Sequence, residues 1–213
     1  ELIEGPATRA LFRYYKKHGH TIAQKTDMMM SNFLENGRRQ IGGRGKCMVV
    51  ADSRVNAVRY YFAIRRYLRE HPEESRDCGV MVAFSGEVTL EDCPSEKPYT
   101  EAALNRDEKG RFITTDKVFR KAFHSGLYNI LVVADKYQTG FDEALLHTMY
   151  VDKKLKGIAA VQTLSRLNRK APGKGKDEFF SINRFEIGDK YNVNIPKIIT
   201  STPCSHIPSL SFL

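Results

Sequence analysis

The sequence predicts an α/β fold with one main domain, in which helices cover both faces of a parallel β-sheet. Short apolar runs alternate along the chain with amphipathic helical patterns, as expected for strand–helix–strand units. The apolar runs carry hydrophobic side chains at successive positions, which is typical of strands buried on both faces. The chain has 213 residues, of which 41% are hydrophobic, so it is long and apolar enough to bury a sizeable core.

The first part of the chain predicts two helical segments followed by a strand. Residues 6–40 contain two amphipathic patterns, and the second ends at Gly42-Gly43. The run 46–51 (KCMVVA) predicts the first strand, and Asp52-Ser53 supplies an N-cap for a helix behind it. We expect the inner side of that helix to carry the side chains of Val55, Val58, Tyr61, Phe62 and Leu68.

The second strand is predicted at 79–84 (GVMVAF), where Ser85-Gly86 closes it. Residues 87–110 are mostly turn-forming and charged, so they predict a long excursion from the sheet. The remaining predicted elements are a helix at 114–124, strands at 128–134 and 147–151, a helix at 158–170 and a fifth strand at 177–182.

The helix predicted at 158–170 separates into two faces. Its apolar stripe consists of Ala160, Leu164, Leu167 and Ala171. Gln162, Arg166 and Arg169 lie on the opposite side. Two interpretations of this polar face stay open: an ordinary solvated surface, or a set of donors directed at an anion.

Ligands of open parallel sheets lie beyond the carboxyl ends of the strands. The segments to search are therefore Asp52-Ser53-Arg54, Ser85-Gly86 and residues 135–142. In the last segment Gly140 permits a tight turn and Asp142 adds a carboxylate, although Gly140 could serve only the turn and Asp142 only cap a short helix. Arg54 has the similar alternative of a surface ion pair.

Composition indicates the type of partner. The net charge is +9, with a pI near 9.4, so a polyanion such as nucleic acid is a plausible partner. The cysteines are scattered without a CxxC pair, which argues against a zinc site or a disulfide framework and fits a reducing cytosol. No membrane span or signal peptide is expected, and a start without Met suggests a fragment.

Several nucleotide and catalytic motifs are not found in this sequence. Gly45-Lys46 is followed by Cys47, so it does not complete a GxxxxGK[ST] phosphate loop. GxGxxG, HExxH and a nucleophile elbow are missing as well. A nucleotide bound here would therefore have its phosphates held by a loop from elsewhere.

Several motifs in the expected order carry a family resemblance. KCMVVADSR (46–54) resembles motif IV of superfamily-2 helicases, VFRKAFHSGLYNILVVADKYQTGFD (118–142) resembles the region ending in motif V, and QTLSRLNR (162–169) resembles motif VI with Ser165 where many members have glycine. The amino-acid sequences of these segments, together with VAFSG, PYTEAALN and AVQTLSRLNRKAPGK, resemble one branch of that superfamily more closely: the motor part of the R subunit of type I restriction-modification enzymes. The resemblance covers about residues 20–180.

This resemblance implies the second of two RecA-like domains that enclose ATP. The first domain would bring the phosphate loop and bind Mg²⁺, whereas this one would bring Arg169 as the arginine finger, Arg166 as its companion and Gln162 to orient water or a neighbouring side chain. Gly140 and Asp142 would belong to the loop that couples ATP to DNA. The side chains or backbone expected to contact the DNA backbone are Ser53, Arg54, Ser85, Gly86 and Lys136.

The predicted organisation has three parts. Residues 1–44 would be a helical connecting segment, 45–183 the RecA-like (P-loop NTPase-like) motor domain and 184–213 an extension in which the resemblance fades. Without a phosphate loop or nuclease motifs, the isolated chain is expected to be inactive in ATP hydrolysis, translocation and cleavage. The expected partners are double-stranded DNA, the first motor domain and nuclease domain of the same subunit, and the modification and specificity subunits, all in a bacterial or archaeal cytoplasm.

Three alternatives stay open. A non-catalytic DNA-binding module of the same fold would share the positive charge without needing Arg166 and Arg169 to converge on the loop of Asp142. A small-molecule enzyme would need a closed pocket with its own acid or base, and no such pair is evident in the sequence. Another superfamily-2 helicase or translocase is the nearest alternative.

Overall fold

The computed structural model describes residues 19–91, 95, 97–107, 109–137, 140–153, 157–169, 181–184 and 197–200. Several predictions lie outside these ranges. They are the helical pattern before residue 19, the position of Ala171, the start of the fifth strand at 177–180 and most of the carboxyl-terminal extension.

The central sheet has six strands in the order β2-β5-β1-β6-β7-β8. Every neighbouring pair from β2 to β7 is parallel, and β8 runs antiparallel to β7. The predicted α/β class with a RecA-like parallel sheet is therefore confirmed. The six strands are β1 (Lys46–Ala51), β2 (Val80–Ala83), β5 (Ile130–Val133), β6 (Leu146–Asp152), β7 (Ser181–Arg184) and β8 (Lys197–Thr200), while β3 (Glu87–Val88) and β4 (Tyr99–Thr100) form a separate hairpin.

The helices begin where the sequence places capping side chains. Ser53 Oγ accepts a hydrogen bond from the Asn56 amide, and Thr115 caps the helix behind it in the same way through Val118. The helices are α1 (Gly19–Asn32), α2 (Gln40–Gly43), α3 (Arg54–Glu70), α4 (Glu101–Leu104), α5 (Asp116–His124) and α6 (Gly157–Leu164). A π-helix at Phe33–Gly37 follows α1, and a 3₁₀-helix at Ser165–Asn168 follows α6.

The strands bury side chains on both faces, and their twofold period divides the core into two clusters. Cys47 and Val49 of β1 pack on one face with α1 and α3, whereas Met48 and Val50 pack on the other face with α5. Neighbouring strands repeat this alternation, with Val82 and Val132 on the first face and Ala83 and Val133 on the second. The helices therefore cover both faces, as the continuous apolar runs predict.

Helix α1 is packed into the core through a buried charged contact. Lys25 Nζ lies 2.5 Å from Asp152 Oδ1, at the end of β6, and Tyr60 of α3 donates to the other oxygen over 2.6 Å. All three side chains are buried, and Ile22, Met29 and Phe33 join the same hydrophobic cluster. The predicted connecting segment is therefore, from residue 19 onwards, packed on the sheet.

The prediction of a helix over 158–170 is wrong at the carboxyl-terminal end of that helix. The α-helical hydrogen bonding stops at Leu164, and the chain continues as a 3₁₀ turn before Arg169 becomes extended, with φ −82° and ψ 137°. Ser165 contributes to this change because its hydroxyl donates to the Gln162 carbonyl at 2.9 Å, offering the backbone a local alternative to the helix. Arg169 thus does not extend the helical face of Gln162 and Arg166.

Two other predicted segments are modified by the structure. The fifth strand is described at Ser181–Arg184, so it continues past its predicted end at residue 182. The excursion between β2 and α5 contains the β3–β4 hairpin and α4, and the Asn105 side chain binds both the amide (3.0 Å) and the carbonyl (2.8 Å) of Val82. The Asn105 side chain thus attaches the excursion to β2, and the turn-rich composition of the segment does not predict this contact.

Candidate functional site

The predicted DNA contacts gather at the carboxyl ends of three adjacent strands. We call Ser53, Arg54, Ser85, Gly86 and Lys136 the rim group. Because β1, β5 and β2 are neighbouring parallel strands, the segments that follow them share one edge of the sheet. This part of the predicted arrangement follows directly from the strand order.

Within the rim group, Arg54 crosses from α3 to the segment after β2. Its Nη1 donates to the Ser85 carbonyl at 3.0 Å, and the side chain is exposed. Gly86 has a φ of +77°, and a Cβ there would lie 2.8 Å from Arg54 Nη1. Glycine therefore satisfies both the left-handed backbone and the approach of the guanidinium.

Lys136 already has a carboxylate partner in this group. Its Nζ lies 2.8 and 3.0 Å from the two carboxylate oxygens of Glu101, a residue of α4. Glu101 Oε2 also accepts from the Phe84 amide at 3.0 Å, so it binds the segment after β2 as well. The sequence reasoning missed Glu101, and the helix-start pattern of Thr100 followed by EAAL was the only local signal there.

Three residues predicted to face or couple to ATP, Arg166, Arg169 and Asp142, form a second cluster together with Phe141, and we call these four residues the arginine group. Arg169 Nε lies 3.2 Å from Asp142 Oδ1. Arg166 Nη1 donates to the Phe141 carbonyl at 3.3 Å, and its Nε donates to the Gln162 carbonyl at 3.2 Å. Both arginines therefore converge on the loop that precedes β6.

The resemblance to a motor domain also predicts that the carboxyl ends of the strands lie on one rim beside Arg166 and Arg169, and this prediction is wrong. A connection between parallel strands must cross the whole length of the sheet, from the carboxyl end of one strand to the amino end of the next. Asp142 is close to the end of this crossing, since the adjacent Glu143 approaches Lys46 at the start of β1 and the Leu146 amide donates to the Glu143 carbonyl. The arginine group thus lies towards the amino-terminal edge, away from the rim group.

Gly140 and Gln162 lie at the margins of the arginine group. Gly140 has a φ of +71°, as expected for a glycine that turns the chain, and its carbonyl accepts a hydrogen bond from Arg120 at 3.0 Å. The Gln162 side chain is exposed. Its backbone carbonyl, rather than its side chain, supports Arg166.

The arginine group has the chemistry needed to bind a phosphate. The Arg169 side chain is 46% exposed and its partner Asp142 is 69% exposed, so their ion pair is open to solvent. Such exposed pairs are worth ~0–1 kcal/mol, and a phosphate of higher charge can therefore replace the carboxylate at little cost. Guanidinium N–H groups also match phosphate oxygens in pairs.

The described part of the chain contains neither a metal-binding cluster nor a helix that could span a membrane. Among the described residues, no cluster of three or more His, Cys, Asp or Glu side chains has the spacing of a metal site. Every helix in the described ranges is too short or too polar to cross a bilayer.

Comparison with known proteins agrees with the motifs. Residues 115–180, which include the arginine group, match the family described as type I restriction enzyme subunit R domain 3-like. The chain is 32% identical over 133 residues to the MjaVIIP protein of Methanocaldococcus jannaschii, whose name describes a type I restriction enzyme endonuclease subunit. It is 26% identical over 133 residues to the type I restriction enzyme HindI endonuclease subunit of Haemophilus influenzae.

These alignments cover 61% and 62% of this chain but only 12% of each relative. The chain therefore spans about an eighth of the length of these relatives. The family match and the named relatives confirm the resemblance carried by the motifs. Residues 115–180 are accordingly similar to a domain of the R, or endonuclease, subunit of type I restriction enzymes.

Proposed function

We propose that this chain forms the second motor domain of an ATP-dependent double-stranded DNA translocase within an R subunit. In this role it supplies Arg166 and Arg169 to ATP, which is held together with Mg²⁺ mainly by the first motor domain. The observation that supports the proposal is the convergence of both arginines on Phe141 and Asp142, at 3.3 and 3.2 Å. A module that only binds DNA needs no such convergence.

The two arginines suit the charge that develops during phosphoryl transfer. Bound ATP supplies the phosphoryl group, and negative charge spreads over its oxygens in the transition state. Arginine keeps its proton at any physiological pH, and its planar fork can donate to two oxygens at once. Arg169 acts as the finger in this proposal because it is the more exposed of the two, while Arg166 is held against the Phe141 and Gln162 carbonyls.

The loop of Gly140 and Asp142 connects the arginine group with the rim group. It starts at the carboxyl end of β5, beside Lys136, and ends near the start of β6, beside Arg169. In the proposed motor, movement at the arginine group is transmitted along this loop to DNA. Gln162 orients a water molecule or a neighbouring side chain.

The rim group binds the DNA backbone in this proposal. Arg54 is exposed beside Ser85 and Gly86, and its positive charge favours phosphate contacts without reading sequence. Lys136 must exchange Glu101 for a phosphate to take part, since the two side chains are now paired. The net charge of +9 supports a polyanionic partner.

The intact enzyme would contain more than this chain. We propose that the nuclease domain and first motor domain belong to the same subunit, and that modification and specificity subunits complete the complex. The names of the relatives, which describe endonuclease subunits of type I restriction enzymes, support this assignment.

Arg169→Ala in the full-length subunit tests the proposal. We expect the kcat of DNA-stimulated ATP hydrolysis to fall by ~10² or more, equivalent to ~3 kcal/mol, with a much smaller change in ATP affinity. The reason is that an arginine directed at developing charge stabilises the transition state more than bound ATP. Arg169→Lys should recover little activity, because an ammonium does not reproduce the planar fork.

Arg66→Ala is the matched control. Arg66 is also an exposed arginine with a carboxylate neighbour, Glu70, at 3.8 Å, but it lies on α3 outside the arginine group. A thermal melt of each variant checks that the fold is retained. Wild-type turnover by a folded Arg169→Ala subunit would refute the catalytic assignment and favour the non-catalytic DNA-binding alternative.

A further inference from the structure

Arg120 connects α5 to the loop that carries Gly140 and Asp142. Its Nε donates to Asp116 Oδ2 at 2.7 Å, and its Nη1 donates to the Gly140 carbonyl at 3.0 Å. The guanidinium carbon also lies 5.1 Å from the ring centroid of Tyr137 and 5.5 Å from that of Phe141. One side chain thus contacts three residues of the loop through one hydrogen bond and two cation–π interactions.

A second contact from the same helix holds the beginning of the loop. The Tyr137 hydroxyl donates to Asp116 Oδ1, and the Tyr137 ring packs 4.9 Å from the Phe141 ring. Tyr137 has a φ of 61°, a left-handed conformation that persists in an aromatic residue only where its surroundings hold it. Asp116 and Arg120 therefore stabilise an unfavourable backbone conformation in this loop.

The ionisation states of these groups favour the same arrangement. The hydrogen bond from Arg120, followed by that from Tyr137, holds the pKa of Asp116 below its ordinary range. Burial, followed by the hydrogen bond to Asp116, raises the pKa of Tyr137. Asp116 is consequently an acceptor and Tyr137 a donor at neutral pH.

The loop residues that Arg120 contacts adjoin the partners of both proposed ATP-facing arginines. The Phe141 carbonyl accepts from Arg166, and the Asp142 carboxylate pairs with Arg169. Gly140, Phe141 and Asp142 are consecutive, so a shift of the Gly140 carbonyl moves the two acceptors that follow it. Small displacements of this kind matter because a misplacement of ~1 Å can cost ~10² in rate.

We propose that Arg120 is a positioning residue for the arginine group. It fixes the Gly140 carbonyl and the Phe141 ring, and through them the places of the Arg166 and Arg169 guanidinium groups. The inference rests on the proposed function, because it assigns Arg120 to the same phosphoryl-transfer site without contact with the nucleotide.

The experiment compares Arg120→Ala and Arg120→Lys with Lys121→Ala in the full-length subunit. Lys121 is an exposed cation on the same helix, next to Arg120 in sequence, which makes it the matched control. We expect both Arg120 variants to lower the kcat of DNA-stimulated ATP hydrolysis by ~10-fold or more while the KM for ATP stays near wild type. Lysine should recover little because it cannot donate to Asp116 and Gly140 through a planar fork.

Amide hydrogen exchange gives a readout that does not depend on activity. In both Arg120 variants exchange should become faster at 140–142 and also at 157–169, while the strands of the sheet keep their protection. Faster exchange confined to 140–142 would overturn the inference, since the effect would not reach Arg166 and Arg169. Global loss of protection in both Arg120 variants would show a structural role instead and would also overturn it.

The kinetic outcomes separate this inference from the proposed function. Wild-type kcat in folded Arg120 variants, or an equal loss in Lys121→Ala, would overturn the positioning role while leaving the function of Arg169 intact. Wild-type turnover in Arg169→Ala would instead remove the proposed function, whatever the Arg120 variants do. Loss of turnover in both Arg169→Ala and Arg120→Ala, with the exchange pattern above, supports both.

Discussion

At the scale of single residues, the structure contains a buried ion pair that the sequence does not indicate. Lys46 and Glu143 lie 3.8 Å apart, longer than a hydrogen bond, and both side chains are 2% exposed. Lys46 also donates to the Phe123 and Ser125 carbonyls, at the carboxyl end of α5. This pair joins the first residue of β1 to the turn before β6 and to α5, and so fixes one end of the loop that bears Asp142.

Glu143→Gln tests the contribution of this pair. We expect the free energy of unfolding to fall by ~3 kcal/mol at pH 7, because Lys46 keeps a buried charge without a carboxylate partner. Burial lowers the pKa of Lys46, whereas the nearby Glu143 carboxylate raises it. In Glu143→Gln, Lys46 should therefore release its proton at a lower pH than in the wild type. The difference in the free energy of unfolding between Glu143→Gln and the wild type should therefore become smaller as the pH rises from 7 to 9.

Urea unfolding at both pH values measures this difference. His124→Ala is the control, because His124 is the exposed neighbour of Glu143, 3.3 Å from the same carboxylate, and its loss should cost about 0.5 kcal/mol or less. An equal loss in Glu143→Gln at pH 7 and pH 9 would contradict the predicted deprotonation of Lys46.

At the scale of elements, two helices begin with the same capping chemistry but with different proposed roles. Ser53 accepts from the Asn56 amide at 3.2 Å, and Thr115 accepts from the Val118 amide at 3.4 Å. Ser53 belongs to the rim group, whereas Thr115 starts α5 and has no proposed DNA contact. The two caps therefore allow the stabilising role of a hydroxyl to be separated from a binding role.

We expect Ser53→Ala and Thr115→Ala each to lower the free energy of unfolding by ~1 kcal/mol, because each leaves a helix amide without its side-chain acceptor. Only Ser53→Ala should also weaken binding to duplex DNA, if the hydroxyl contacts a phosphate. Urea unfolding and DNA titration at fixed salt measure the two effects. Equal DNA affinities of the two variants would remove Ser53 from the DNA contacts and leave it as a helix cap.

At the scale of the whole molecule, the buried and half-buried phenols and thiols make the fold sensitive to alkaline pH. Burial is the largest cause of a raised pKa in Cys47, Cys78, Tyr60, Tyr67, Tyr128, Tyr137 and Tyr150. These groups keep their protons in the folded state at pH values where the unfolded chain loses them. Their contribution to stability is full below the ordinary thiol and phenol range and is lost as the pH rises above about 9.

We therefore expect the free energy of unfolding to decrease between pH 8 and pH 10.5, with Lys46 opposing the trend because its pKa is lowered. Urea unfolding under reducing conditions measures the change. Tyr150→Phe should show a smaller decrease than the wild type, because it removes one buried phenol, whose hydroxyl donates to Asn32 at 2.8 Å. A constant or rising stability over this range would contradict the prediction.

The sequence by itself determined the α/β class, the main strands and their burial on both faces. These features are local, since continuous apolar runs, helical periodicity and capping residues such as Ser53 act between near neighbours in the chain. The sequence also determined the family resemblance, because each motif is a continuous run of residues. It could not determine where the helix after β6 ends, since the hydrogen bond from Ser165 to Gln162 competes with a pattern that otherwise continues through Arg169.

Only the tertiary structure decided which distant side chains meet. The pairs Glu101–Lys136 and Arg120–Gly140 are separated by 35 and 20 residues, and no periodicity in the sequence links them. The arginine group lies towards the amino-terminal edge because the connection from β5 to β6 must cross the length of the sheet before β6 begins. The path of that crossing depends on packing against α5, where Arg120, Tyr137 and Phe141 interact, and this packing exists only once the strands have paired.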